Sequence, residues 1–147
     1  MKIASYKSIR PGLSSIFSRL VRCWTSSEYS HTELIFSDGV SGSSSFLDKG
    51  VRLKSIVYDP LHWDIVELSE DFNELEARWW FERNLGKKYD SLGLLGFVWK
   101  RGTQDKNKWY CNEAIGASLG IEEPWRFDPA SFHTLIKELN KNNKAKT

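Results

Sequence analysis

Cys111 lies in the segment 109–114 (WYCNEA), where a predicted helix over residues 109–119 begins and Gly120 later stops it. The N–H groups at a helix start have no intrahelical partner, and together with the helix dipole they stabilise a thiolate. Such a cysteine can act as a nucleophile, and the same N–H groups can bind an oxyanion beside the sulfur. The alternative is a buried cysteine that packs as a small hydrophobe. Cys23, inside another predicted helix, fits that alternative.

His31 lies in the segment 29–36 (YSHTELIF), which has the pattern of a β-strand. Side chains alternate along a strand, so His31, Glu33 and Ile35 share one face. A histidine that faces a helix start can deprotonate a thiol and later protonate a leaving group. The alternative is a structural histidine bonded to a backbone carbonyl. His62, in a predicted turn, and His133, in the last predicted helix, are weaker candidates.

A histidine base also needs a partner that orients its second nitrogen. Asp38-Gly39 is a strong hairpin signal, and a two-residue turn there pairs positions whose numbers sum to 77. Glu33 would then face Ser44, and His31 would face Phe46. Ser44 becomes a diagonal neighbour of His31 on the same face. Glu33 and Ser44 are therefore both candidates for the third polar residue, although Glu33 could equally pair with a basic residue and hold structure.

The remaining pattern predicts an α+β domain, with helices on one side of an antiparallel meander. The predicted strands cover residues 3–6, 30–36, 40–46, 51–58 and 63–68. The predicted helices cover residues 13–24, 69–85, 91–99, 109–119 and 128–139, with Ser69 or Asp71 capping the second and Asp128-Pro129 opening the last.

Composition limits the classes of protein that this chain can belong to. The 147 residues fit one domain over 1–139, followed by a basic tail over 140–147 that we expect to be disordered. The net charge of +2 favours no nucleic-acid partner. We expect no transmembrane segment, and the N-terminus lacks a signal-peptide pattern, which favours the cytoplasm. Two cysteines make no disulfide framework or zinc motif, and we expect no cofactor and no metal.

These motifs, taken in order, resemble the circularly permuted papain-like hydrolases, relatives of the NlpC peptidases and of lecithin:retinol acyltransferase. The histidine precedes the cysteine, which is the permuted order, and the resemblance covers residues 3 to 135. The chain is especially similar to the short versions of this family that bacteriophages encode. The matching pieces are 20–24 (LVRCW), 29–31 (YSH), 50–52 (GVR), 88–90 (KYD), 109–113 (WYCNE) and 124–129 (PWRFDP).

The resemblance implies that Cys111 is the nucleophile and His31 the base. It also implies a third polar residue on the strand beside the histidine, which is Ser44 or a neighbour. Many relatives have a carboxylate or a second histidine there, whereas residues 43–45 are all serine. That departure leaves Glu33 as the only carboxylate in easy reach. Tyr89-Asp90 also matches the family, and we expect structural roles for it.

The expected function is therefore a thiol hydrolase that cleaves an amide or ester through an acyl-enzyme. The resemblance favours a cell-wall peptide amidase or endopeptidase, with a peptide or acyl substrate such as peptidoglycan, in the host cytoplasm or the virion. One alternative is a non-catalytic virion or host-interaction protein, and another is a lipid acyl hydrolase or acyltransferase. A metal site of His31, Glu33 and Cys111 is a weaker hypothesis because no fourth ligand is evident. No oligomeric state follows from the sequence.

Overall fold

The computed structural model describes residues 1–8, 28–90 and 107–144, with side chains as far as Lys141. These residues form an α+β fold in which a seven-stranded, mostly antiparallel sheet packs against three helices. The strands are β1 (Lys2–Tyr6), β2 (His31–Ile35), β3 (Val40–Ser45), β4 (Gly50–Ser55), β5 (Trp63–Glu67), β6 (Lys88–Tyr89) and β7 (Lys108–Trp109). The helices are α1 (Glu74–Asn84), α2 (Cys111–Ser118) and α3 (Pro129–Lys144), with a 3₁₀ turn at Pro124–Arg126 before α3. The predicted helices over 13–24 and 91–99, and Cys23, lie outside the described residues.

The strand order differs from the predicted meander. Strands β2, β3 and β4 follow one another as antiparallel neighbours, but β5 pairs with β1 rather than with β4. The order across the sheet is β5-β1-β2-β3-β4-β6-β7, with β6 and β7 parallel. The first strand thus lies between two later strands, where Tyr6 pairs with both His31 and Trp63. Because β1 separates β2 from β5, the chain must cross the sheet after β4.

The β2–β3 hairpin has a different register from the predicted one. Leu34 pairs with Gly42 and Ile35 with Ser41, so the numbers sum to 76 and not 77. The cause is a three-residue turn over 37–39 instead of a two-residue turn. Gly39 alone in this turn has a positive φ, of 83°, whereas a two-residue type I′ turn needs positive φ at both central residues. One position of slip moves every β3 side chain to the other face relative to the prediction.

Strand β2 is buried on both of its faces. One face carries Leu34, whose neighbour Ile3 lies on β1, and we call it the helix face. All three helices contribute to the core on this face: Ala77 and Phe81 from α1, Ala114 and Ile115 from α2, and Phe132 and Ile136 from α3. The opposite face carries His31 and Glu33, and we call it the His31 face. The two faces therefore divide an apolar core from a polar cluster.

Gly42 permits the close approach of α1 to β3 on the helix face. A Cβ atom at Gly42 would lie 2.8 Å from ring carbons of Phe81, closer than real side-chain contacts allow. The absence of a side chain therefore lets this ring pack directly on the strand. Helix α1 begins at the cap Asn73, whose side chain accepts from the N–H groups of Leu75 and Glu76, and not at the predicted Ser69 or Asp71.

Helix α3 begins as predicted and continues beyond its predicted end. The Asp128 carboxylate accepts from the N–H groups of Ala130 and Ser131, which makes it the cap ahead of Pro129. The helix runs to Lys144 instead of ending near residue 139. The Asn140 side chain accepts from the N–H of Ser69 and donates to the carbonyl of Glu67. These two contacts hold the last turns of α3 against the chain that follows β5, within a segment expected to be disordered.

Candidate active site

His31 is bonded to Glu33 on the buried His31 face of β2. The His31 Nε2 atom lies 2.7 Å from the Glu33 Oε1 atom. Both residues are almost fully buried, with 7% and 0% of their surfaces exposed. Because strand side chains alternate, a histidine and a carboxylate two positions apart project together from one face. Of the two candidates for the third polar residue, Glu33 is the one that contacts the histidine.

Arg52 of β4 binds both oxygens of the same carboxylate. Its Nη1 donates to Glu33 Oε2 over 2.7 Å and its Nη2 to Oε1 over 2.5 Å, which makes a two-pronged ion pair. Burial pushes the pKa of Glu33 upward, but the charges and hydrogen bonds of His31 and Arg52 outweigh burial and lower that pKa to about 2. Glu33 is therefore an ionised acceptor at neutral pH.

The outer part of this cluster is also polar and connected. The Nε of Arg52 donates to Asp48 over 3.0 Å, and Lys54 donates to the second oxygen of Asp48 over 3.2 Å. The hydroxyl groups of Ser41 and Tyr58 lie 2.6 Å apart. Burial, followed by the charge of Glu33, raises the pKa of the Tyr58 phenol, which stays neutral. The cluster therefore contains two opposite charge pairs and no excess charge from these groups.

Aromatic side chains lie beside His31 along the same row of the sheet. The Trp63 ring centroid is 6.4 Å from that of His31, in an edge-on arrangement. The rings of Tyr6 and Tyr58 lie 4.9 and 5.0 Å from Trp63, also edge-on. These rings help to exclude water around the imidazole, which strengthens its contact with Glu33.

Cys111 is the first residue of α2, and its surface is 2% exposed. The backbone N–H of Tyr110 donates to the carboxylate of Glu113, a contact of 3.4 Å that stabilises the helix start. The Tyr110 hydroxyl donates to the carbonyl of Trp125 over 2.6 Å. The prediction that a cysteine stands at a helix start is confirmed. The helix begins at residue 111 and not at the predicted residue 109, because Lys108–Trp109 forms β7.

The structure places Ser44 on the helix face and not beside His31. Its hydroxyl donates to the carbonyl of Trp109 over 2.6 Å, two residues before Cys111. The register predicted from a two-residue turn was wrong by one position, which moved this side chain across the sheet. Ser44 therefore anchors the segment that leads into α2, and the expectation that it lies on the His31 face, with Phe46 opposite His31, was wrong.

The helix that carries Cys111 and the imidazole of His31 approach β2 from different faces. Helix α2 packs against β2 and β3, with Ala114 and Ile115 in the core around Leu34. His31 projects from the opposite face.

Arg52 was missed as a functional residue, although the sequence contains the signal. The strand pairing Ser43↔Arg52, read with the correct hairpin register, puts Arg52 in the same row as Glu33. With the predicted register, that row would have held different residues. The sequence allows Glu33 to pair with a basic residue but does not specify which one.

A second buried histidine, His133 of α3, lies on the helix face. Its Nδ1 is 2.8 Å from the Ser5 hydroxyl, and its Nε2 is 3.5 Å from the Tyr29 hydroxyl. Tyr29 donates to Asp64 over 2.7 Å, and Lys7 donates to the other oxygen of Asp64 over 2.7 Å. Burial, followed by the charge of Lys137, lowers the pKa of His133. This histidine therefore ties α3 to the sheet through hydroxyl groups.

Among the residues that the structure describes, no group of three or more His, Cys, Asp or Glu side chains is arranged to hold a metal ion. His31, Glu33 and Cys111 do not form such a group. Within the same described ranges, none of the helices has both the length and the apolar character needed to cross a bilayer.

Comparison with known proteins returns no match to any protein-family model and none to any curated protein. The assignment of this chain to the permuted NlpC-type family stays a prediction from the motifs.

Proposed function

We propose that this protein is a thiol hydrolase of the permuted NlpC type with a papain-like fold, in which Cys111 is the nucleophile, His31 the base and Glu33 its orienting carboxylate. The observation that carries the proposal is the buried 2.7 Å contact between His31 Nε2 and Glu33 Oε1. Catalytic histidines in such hydrolases need one nitrogen held so that the other can transfer protons. The start of α2 at Cys111 supports the assignment of Cys111 as the nucleophile.

The contact with Glu33 also assigns the proton on the imidazole. Glu33 is ionised, because Arg52 donates to both of its oxygens and helps to lower its pKa, and an ionised carboxylate can only accept hydrogen bonds. The Nε2 atom of His31 must therefore carry the hydrogen in the contact. In the neutral ring, the lone pair then lies on Nδ1. We infer that Nδ1 is the atom that takes the proton from the thiol.

The proposed reaction transfers an acyl group to the sulfur. Nδ1 of His31 takes the thiol proton while the Cys111 sulfur forms a bond to the substrate carbonyl carbon, and backbone N–H groups at the start of α2 bind the oxyanion. The C–N or C–O bond then breaks, and the leaving group takes the proton from His31. Water then attacks the thioester carbon and gives one proton to His31. The C–S bond breaks, His31 returns that proton to the sulfur, and the acid is released.

The proposed substrate class is a peptide amide of the bacterial cell wall, and this choice rests on the resemblance of the motifs alone. An acyl lipid remains the alternative substrate for the same chemistry. Hydrolysis of soluble peptidoglycan fragments beside a thioester or ester lipid would distinguish the two. The proposed place of action of the enzyme is the host cytoplasm or the virion.

The test is the rate of alkylation of Cys111 by iodoacetamide at mildly acidic pH, in a Cys23→Ser background. We expect Cys111 to react faster than a free thiol, and we expect His31→Ala to slow it about 100-fold because the base is lost. His62→Ala is the matched control, since His62 is an exposed histidine bonded to Ser8, and it should leave the rate unchanged. A rate equal to that of a free thiol would contradict the proposal.

A second candidate function is a non-catalytic virion or host-interaction protein that retains the fold. The observation that favours it is the burial of Cys111, at 2% exposure, on a helix that packs against the face opposite His31. This candidate predicts slow alkylation of Cys111 that does not change in the His31→Ala variant. The same experiment therefore separates the two candidates.

A further inference from the structure

We propose that Arg52 is a positioning residue that keeps His31 a neutral base with its hydrogen on Nε2, by binding both oxygens of Glu33. As a statement about catalysis, this inference rests on the proposed function. As a statement about the state of the imidazole, it can be tested whether or not the protein is a hydrolase.

The geometry gives Arg52 control over the position of the Glu33 carboxylate. The guanidinium approaches both oxygens, and one of these oxygens, Oε1, is also the partner of His31 Nε2. A planar two-pronged contact fixes the rotation of the carboxylate, which a single point charge cannot do. Asp48 holds the Nε atom of the same guanidinium from its other side. The position of Oε1 against the imidazole is thus set by Arg52.

The charge of Arg52 matters as much as its shape. A buried carboxylate that faced only a histidine would favour the imidazolium, because the two opposite charges would compensate each other. An imidazolium has no lone pair with which to take a proton from a thiol. With Arg52 in place, the Glu33 charge is already compensated. The imidazole can then stay neutral while its Nε2–H still donates to the carboxylate.

The other charged groups around the cluster leave this balance unchanged. Asp48 is compensated by Lys54 as well as by Arg52. Tyr58, which lies over the same face and bonds to Ser41, is a neutral phenol. Among these groups, Arg52 is the cation that contacts Glu33 directly. Its removal therefore has a specific expected consequence for His31.

The test is ¹⁵N NMR of the His31 ring in a Cys111→Ser background, where no thiol chemistry can contribute. In this parent protein at neutral pH we expect one ring hydrogen, on Nε2. In Arg52→Met we expect a second ring hydrogen to appear at neutral pH and the titration of His31 to move to higher pH. Arg52→Lys, which keeps the charge, should restore the neutral ring in part.

Lys54→Met is the matched control, because it removes a cation from the same strand that contacts Asp48 but not Glu33. It should leave the His31 spectrum unchanged. A folded Arg52→Met variant with the parent spectrum would overturn the inference. If that variant does not fold, the parent spectrum still decides, since a hydrogen on Nδ1 or an imidazolium at neutral pH would also overturn it.

The outcomes of the two tests are separable. Slow alkylation of Cys111 together with the expected NMR changes would overturn the hydrolase proposal and leave the role of Arg52 in holding His31 intact. Fast, His31-dependent alkylation together with an unchanged spectrum in Arg52→Met would overturn only the inference about Arg52.

Discussion

The two buried histidines of the described chain sit on opposite faces of one sheet and have different partners. His31 contacts a carboxylate directly, and that carboxylate is compensated by Arg52. His133 contacts the hydroxyl groups of Ser5 and Tyr29, and the carboxylate of Asp64 is one bond further away. A carboxylate accepts only, whereas a hydroxyl can donate or accept. The His31 site therefore fixes one tautomer, and the His133 site tolerates either.

This difference teaches which buried histidine is suited to proton transfer. At His31, the contact with Glu33 fixes a hydrogen on Nε2, so Nδ1 carries the lone pair in the neutral ring. At His133, the hydroxyl partners adapt, burial disfavours the charged ring, and the network joins α3 to β1. Burial alone does not distinguish the two, since both residues are below 10% exposure. The chemistry of the partner does.

The largest expected effect is on the stability of the charged cluster. Glu33→Ala removes the carboxylate and leaves the Arg52 guanidinium partly buried without its main partner, which should cost about 3–5 kcal/mol of unfolding free energy. Urea denaturation followed by tryptophan fluorescence measures this. A loss below 1 kcal/mol would mean that the ion pair is not formed in solution, and the contrast between the two histidine sites would fail.

A smaller effect is expected at the second site. Ser5→Ala removes one neutral partner from His133 and should cost about 1–3 kcal/mol by the same measurement. Lys2→Ala, on the same strand and in an exposed ion pair with Glu67, is the control, and we expect it to change stability by less than about 1 kcal/mol. A Ser5→Ala cost equal to that of Glu33→Ala would show that hydroxyl and carboxylate partners are equally important here.

The smallest effect is on the pH dependence of stability. The pKa of His133 is lowered in the fold, so below the ordinary value of 6.5 the unfolded chain binds a proton that the folded chain resists. Stability should therefore fall as pH decreases below about 6.5. Glu33 has a lowered pKa of about 2, so its contribution is present above 4.5 and is lost as pH falls toward 2.

Thermal unfolding midpoints of the wild type and of His133→Gln, measured from pH 7.5 down to pH 3, check this separation. The variant should lose the decline that begins near pH 6.5 and keep the decline below pH 4.5. Parallel curves for the two proteins over the whole range would contradict the assignment of the first decline to His133.

Some features of the site could be predicted because they depend on neighbours along the chain. Alternation put His31 and Glu33 on one face, and the spacing of two is all that their contact requires. The residues around Cys111 indicated a helix start there, and Asp128-Pro129 indicated the start of α3. Each of these features depends only on residues that are a few positions apart in the sequence.

The hairpin register and the strand order could not be predicted in the same way. Asp38-Gly39 is compatible with two-residue and three-residue turns, and only the three-residue turn puts Gly42 on the helix face, where it packs closely on Phe81. The placement of β1 between β2 and β5 joins residues about thirty and sixty positions apart. No local pattern specifies such pairings.

The sequence by itself therefore determined the local identities of this protein: a cysteine at a helix start, a histidine and a carboxylate two apart on a strand, and an α+β fold. Tertiary structure alone decided that Arg52 completes the His31 cluster, that Ser44 anchors the chain before Cys111, and that the helix and the imidazole approach β2 from different faces. The physical reason is that side-chain direction along one strand is a local property, whereas the face that a neighbouring strand presents depends on a register, which one extra turn residue reverses.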